Sequence, residues 1–308
     1  MVYFLFVLGF FLLIKGADVF IDGASNIAKK MHISPLFIGL TVVAFGTSAP
    51  ELSVSLQSAF QGSTELAFGN VIGSNIANIL LILGVALFFA PLTVSKSLLQ
   101  LEIPFLFLTS FVFWFFVQDG ELSRFEGGAL LVMFLLFLSL SYFNIRKHPV
   151  EKSTEKGMTI VRSIIYLVGG LIALVYGGTF IVNGAIHIAK IFEVSESLIA
   201  LTIVAIGTSL PEVAASSIAA YKGESDIAIG GVIGSNLFNI LLVLGATGAV
   251  HPIHYDTILN KDFIVSVLAL VLFVVCTVLS KNRTLSQWMG WLFLLSYIIY
   301  LCFLIFQA

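Results

Sequence analysis

Residues 71–84 read VIGSNIANILLILG, and residues 232–245 read VIGSNLFNILLVLG. The two stretches stand 161 positions apart (71 to 232). The same offset relates GTSAPE at 46–51 to GTSLPE at 207–212. It also relates Gly16, Gly23 and Ile27-Ala28-Lys29 to Gly177, Gly184 and Ile188-Ala189-Lys190. Chance does not produce gap-free agreement at one offset over so many positions, so the chain contains an internal duplication. Between the copies lies the one sizeable hydrophilic segment, Arg146 to Arg162, which carries Lys147, Glu151, Lys152, Glu155 and Lys156. The expected organisation is a first repeat over 1–145, a cytoplasmic linker over 146–161 and a second repeat over 162–308.

Each copy is too apolar to live in water. Of 308 residues, 59% are hydrophobic and 10% charged, whereas a soluble domain carries about 25% charged residues. Fifteen Lys and Arg with 17 Asp and Glu cannot cover such a globule, which excludes a soluble enzyme and a disordered chain alike. The net charge of −2 leaves no basic footprint for nucleic acid. Cys276 and Cys302 both sit in apolar runs, with no disulfide framework or zinc spacing.

Apolar runs long enough to span a bilayer occur near 3–22, 35–60, 67–90, 98–118, 124–145, 161–182, 196–221, 228–250, 262–280 and 286–306. Runs such as Phe134 to Leu138 do not alternate, so they are helices rather than barrel strands. The first run contains Lys15 and Asp18 and has no basic leader, and it reads as a retained helix. The expected fold is an all-α integral membrane protein of ten transmembrane helices. Five spans per copy is an odd number, so the second copy must be inverted, the plan of secondary transporters with a midplane binding site. Loop cations set the orientation. One side collects 11 Lys and Arg, among them Lys29, Lys96, Lys222 and Lys281, and the other only Arg124, Lys190 and Lys261. The first side is expected to be cytoplasmic, with both termini outside the cytoplasm.

Two of the few ionisable residues deep in the spans are repeat partners, Glu51 and Glu212. A carboxylate in the bilayer costs at least about 2.5 kcal/mol, and a cost incurred twice at equivalent positions needs a reason. Each follows a proline in an apolar run, so Pro50 and Pro211 leave the carbonyls of Gly46 and Gly207 without a donor. Thr47 and Ser48 stand within a helical turn of Glu51, as Thr208 and Ser209 do of Glu212. Ser74 and Asn78, with Ser235 and Asn239, supply the facing wall; their i,i+4 spacing puts each pair on one helix face. Such oxygens, without His or Cys nearby, suit Ca²⁺, and the same cage can hold Na⁺. Gly69-x-x-x-Gly73 and Gly230-x-x-x-Gly234 also read as close-packing motifs. Glu102 is placed at the membrane interface, and the Phe residues are placed against lipid and in packing.

At these residues the sequence resembles the cation/Ca²⁺ exchanger superfamily, in its Na⁺/Ca²⁺ branch of prokaryotic type. The matching motifs are GTSAPE with GNVIGSNIAN at 69–78, and GTSLPE with GGVIGSNLFN at 230–239. The resemblance implies Glu51 and Glu212 as carboxylates shared by Ca²⁺ and Na⁺. It implies carbonyls from Thr47 and Thr208 for Ca²⁺, and Na⁺ contacts from Ser48, Ser209 and the carbonyls of Ala44 and Ala205. Ser74, Asn78, Ser235 and Asn239 complete the implied set. Family members often carry Asp at the position of Asn239, so this chain keeps two site carboxylates, which argues against K⁺ co-transport. The implied activity is Na⁺-driven Ca²⁺ extrusion by alternating access, with no cofactor, enzyme chemistry or protein partner. A Ca²⁺/H⁺ antiporter is the alternative, and a Ca²⁺ channel stands behind it. A short chain without a regulatory domain points to a prokaryotic inner membrane. The first and sixth helices, bearing Gly16, Gly23, Gly177 and Gly184, are expected to slide across the core.

Overall fold

In lipid a helix satisfies its own backbone, and the apolar runs take that form. A computed structural model describes residues 2–61, 64–147, 157–192 and 205–307. In chain order the helices are α1 (Val2–Met31), α2 (Pro35–Thr47), α3 (Ala49–Phe60), α4 (Leu66–Phe89), α5 (Lys96–Asp119) and α6 (Arg124–Lys147). The second half contains α7 (Ile160–Ile191), α8 (Ala205–Thr208), α9 (Leu210–Tyr221), α10 (Ser225–Val250), α11 (Thr257–Leu279) and α12 (Gln287–Gln307). Among the described residues, eight helices are long and apolar enough to cross a membrane, and the bent pair α2–α3 makes a ninth. The chain is a multi-pass, all-α membrane protein. Residues 148–156 of the expected linker and 196–204 of the expected seventh span lie outside the described residues.

Burial sorts the helices into two shells. The most apolar stretches of α10 and α4 are 94% and 78% buried, against 28–44% for α1, α5, α6, α7, α11 and α12. The centre is therefore built from the two helices that carry the GSN motifs. Outside, Phe4, Phe11, Phe111, Phe115, Phe125 and Phe143 are exposed, as expected of a lipid-facing surface.

Two short antiparallel ladders tie the halves together. β1 (Leu92–Thr93) needs a partner from the far end of the chain, because β2 (Glu121–Leu122) pairs instead with β3 (Ile253–His254). That partner is β4 (Thr284–Leu285), in the register Leu92 to Leu285 and Thr93 to Thr284.

α1 and α7 run longer than the apolar runs from which they were read, to Met31 and Ile191. Glycine makes their mutual approach possible. A methyl at Gly16 would meet the backbone nitrogen of Leu174 at 2.9 Å and the carbonyl of Gly170 at 3.0 Å; one at Gly177 would meet the nitrogen of Leu13 at 2.7 Å. Gly16, Gly23 and Gly177 thus face the partner helix, and Gly184 faces Phe6 of α1. Glu102, expected near the membrane interface, is covered by protein. It opens the regular part of α5 and is 2% exposed, and α10 and α6 pack against that helix.

Candidate cation site

The two proline motifs fold alike. Ser48 (φ −84°, ψ 3°) and Ser209 (φ −86°, ψ 1°) leave the helix, and Pro50 and Pro211 stand in the first turn of the next one. Proline fits there, since the first-turn N–H groups have no helical partner in any case. α2 and α3 meet at 45°. Glu51 and Glu212 therefore open new helices instead of lying mid-helix, and their carboxylates sit where the helix dipole favours negative charge. The N–H of Leu52 reaches the Ser48 carbonyl at 3.2 Å, and that of Val213 reaches Ser209 at 3.0 Å. The Ala44 carbonyl already accepts the Ser48 N–H at 2.9 Å, so one of its lone pairs is engaged.

The GSN motifs face each other across the centre. Asn78 and Asn239 each begin a widened turn of π geometry, over Asn78–Ile82 and Asn239–Leu244, a distortion common at functional sites. The Asn78 amide donates to Oδ1 of Asn236 at 2.9 Å, and the Asn239 amide donates to Oδ1 of Asn75 at 3.0 Å. Asn78 and Asn239 are counterparts at the repeat offset, and so are Asn75 and Asn236. The two bonds are one bond seen from either copy. Glycine allows the close packing behind them: a methyl at Gly234 would meet the carbonyl of Leu40 at 2.7 Å, and one at Gly230 that of Leu36 at 2.8 Å.

Glu51 and Glu212 are 1% and 4% exposed, and each lies within reach of the other's charge. The Ser74 hydroxyl lies against Glu51, and the Thr47 hydroxyl lies beside Glu212 and 3.1 Å from the Val43 carbonyl. Ser48, Ser209, Ser235 and both motif asparagines at 78 and 239 are buried as well. Thr208 is half-buried at the second break, and Ala205 opens α8.

The arrangement is short of donors. Among the described residues, the buried oxygens without a hydrogen-bond partner include Ser48 Oγ, Glu51 Oε2 and Asn78 Oδ1, and their counterparts Ser209 Oγ, Glu212 Oε2 and Asn239 Oδ1; Ser235 Oγ is another. A buried acceptor left unpaired costs roughly 1–3 kcal/mol, and more when charged. A cation held among oxygens matched in this way would remove that cost. No cluster of three or more His, Cys, Asp or Glu occurs among the described residues, so the donors beside the two carboxylates are neutral oxygens. Such a set takes a hard cation.

Asn70 has a part that the repeat did not reveal. Its amide donates to the Glu51 carbonyl at 3.3 Å and to Ser55 Oγ at 3.2 Å, fastening α3 to α4. Its counterpart is Gly231, so a search for duplicated residues passes over it. Asn75 and Asn236, by contrast, stand inside the duplicated motif.

With this geometry in view, the family profile described as Sodium/calcium exchanger protein matches residues 1–143 and 162–306. The chain belongs to that family. CaxA of Alkalimonas amylolytica is 40% identical over 302 residues, covering 95% of each chain. The Inner membrane protein YrbG of Escherichia coli (strain K12) is 36% identical over 280 residues, covering 87% of this chain and 86% of its own. A solved structure of the sodium-calcium exchanger NCX_Mj, soaked with 10 mM Na⁺ and 10 mM Sr²⁺, superposes with a TM-score of 0.86 at 32% identity, covering 98% of this chain and 97% of that one. The protein is accordingly an ion transporter of the exchanger class and not an enzyme.

Proposed function

We propose that this protein is a secondary antiporter that moves Ca²⁺ out of the cell against Na⁺ entry by alternating access. The observation that carries the reading is the set of buried, unpaired oxygens matched across the two halves, centred on Glu51 and Glu212. In this reading one Ca²⁺ is neutralised by the two carboxylates, with the carbonyls of Thr47 and Thr208 and the side chains of Ser74, Asn78, Ser235 and Asn239 around it. Na⁺ takes the same carboxylates together with Ser48, Ser209 and the carbonyls of Ala44 and Ala205. The two fillings exclude each other, and that exclusion is the coupling.

The architecture proposed with it is ten spans in two inverted repeats, 1–145 and 162–308, joined by a cytoplasmic linker at 146–161. The reciprocal asparagine bonds support it, as do the two ladders that join the halves at different loops. Contacts also favour the grouping of loops onto one side from which the orientation is read. Lys29 lies 3.8 Å from Glu224, and Thr93 lies 3.1 Å from Thr284, so loops assigned to the cytoplasm meet one another. Both termini then lie outside the cytoplasm. The name of the E. coli relative favours an inner membrane.

One observation favours a second reading, Ca²⁺/H⁺ exchange: each Glu has an unpaired oxygen where a proton could ride. Proteoliposomes loaded with Na⁺ and diluted into Na⁺-free buffer containing ⁴⁵Ca²⁺ separate the two. Uptake that needs the Na⁺ gradient, absent from K⁺-loaded vesicles, is the expected result. Uptake driven by a pH gradient alone would move the protein to proton coupling.

A further inference from the structure

A second group of hard oxygens lies away from the central site. A cavity of about 120 Å³ opens among α2, α5, α6 and α10 at the end of the bundle that carries Lys96 and Lys222. Two carboxylates line it, Glu102 from α5 and Asp226 from the first turn of α10. Hydroxyls of Ser34, Ser95 and Ser141 join them. Asn144, also in the lining, donates its amide to Ser97 Oγ at 2.7 Å, so its N–H is turned to a neighbour.

A carboxylate in the first turn of a helix has an ordinary role, since it can accept the freed N–H groups there. That role occupies only one oxygen of Glu102, which accepts the residue's own backbone N–H. Glu102 is 2% exposed, and its Oε2 has no hydrogen-bond partner among the described residues. Ser141, also 2% exposed, leaves its Oγ equally unpaired in the same lining. Ser34 stands at the start of α2 without using its hydroxyl as a cap. Two buried oxygens without partners on different helices, beside a second carboxylate around one small cavity, suit a cation cage.

Two members of the group break the repeat, while Ser34 and Asp226 stand opposite Ser195 and Glu65. The counterpart of Glu102 is Phe263, and that of Ser141 is Cys302.

We propose that Glu102 and Asp226, with the Ser34 and Ser141 hydroxyls, form a second Ca²⁺ site that is not on the transport path. Oxygen donors alone, with two carboxylates to balance the charge, suit Ca²⁺ in an irregular cage. Occupied, the site clips the starts of α5 and α10 to α2 and α6. α2 approaches closely here: a methyl at Gly39 would meet the carbonyls of Ile227 at 2.9 Å and Asp226 at 3.1 Å.

The test is equilibrium ⁴⁵Ca²⁺ binding to the purified full chain, taken up to millimolar Ca²⁺. Glu51→Gln with Glu212→Gln should retain one class of bound Ca²⁺. Glu102→Gln with Asp226→Asn should lose that class, its affinity falling at least about tenfold, and keep the other. The retained class reports that each variant is folded. Two results would overturn the proposal: Glu102→Gln with Asp226→Asn binding as much Ca²⁺ as the wild type, or a residual class in Glu51→Gln with Glu212→Gln that ignores the further loss of Glu102 and Asp226.

Discussion

Glu51 and Glu212 are buried, lie within each other's field, and each keeps an oxygen without a partner. With both ionised and no cation between them they repel, so the empty site destabilises the protein. Glutamine keeps the shape and removes the charge. Glu212→Gln should therefore melt no lower than the wild type in the absence of cations, and it should lose the rise in Tm that Ca²⁺ gives the wild type. Its Ca²⁺ uptake should fall at least about 100-fold, a loss of about 2.7 kcal/mol. Wild-type uptake in either single Glu→Gln variant would remove that residue from the site. The pair was legible in the sequence because a charge in an apolar run is conspicuous and this one occurs twice. Asn70 was not legible, since it stands opposite a glycine in the other copy and its role depends on the backbone of Glu51. Glu102 was legible as a carboxylate near a span's start, but its burial depends on which helices cover it.

At the scale of elements, the break at Ser48 decides where Glu51 points. The hydropathy of 35–60 is continuous, so the sequence reads as one span with a proline in it. The structure makes two helices meeting at 45°, and the acid begins the second one. Pro50 stands in the first turn beyond that break, fixes φ there and offers no N–H that could continue the first helix. Pro50→Ala supplies that N–H and should leave the protein folded while raising the KM for Ca²⁺ about tenfold, or about 1.4 kcal/mol. An unchanged KM would show that the break which places Glu51 does not depend on the proline. The glycines of α1 and α7 carry a similar lesson. Their presence in the sequence announces a close backbone approach, but only packing tells which helix approaches, and here each is the other's partner.

Across the whole molecule the two halves match at the centre and differ at the ends. Lys222 Nζ lies 2.7 Å from Asp18 Oδ1 and 2.6 Å from Asp22 Oδ1, tying α1 to the turn between α9 and α10. The counterpart positions are Gln61, Thr179 and Asn183, none of which carries a charge. Partly exposed pairs are worth about 1 kcal/mol at most, enough to bias an equilibrium between two conformations without locking it. If that end must open during exchange, Lys222→Met should raise the Ca²⁺ uptake rate by up to about fivefold at low ionic strength, and less at high salt. A rate unchanged at both ionic strengths would mean that the tie stays closed throughout the cycle. The duplication, the helical class and the central motifs follow from periodicity and offset, which the chain displays openly. The end-specific contacts pair residues about 200 positions apart without a repeat to mark them, and only the folded chain brings them together. What the central account requires is one cage for two ions. The most direct test is the initial rate of ⁴⁵Ca²⁺ uptake, measured against Ca²⁺ concentration at several Na⁺ concentrations on the same side of the membrane. A shared cage predicts that Na⁺ raises the apparent KM and leaves the maximal rate unchanged; a maximal rate that falls at constant KM would contradict it.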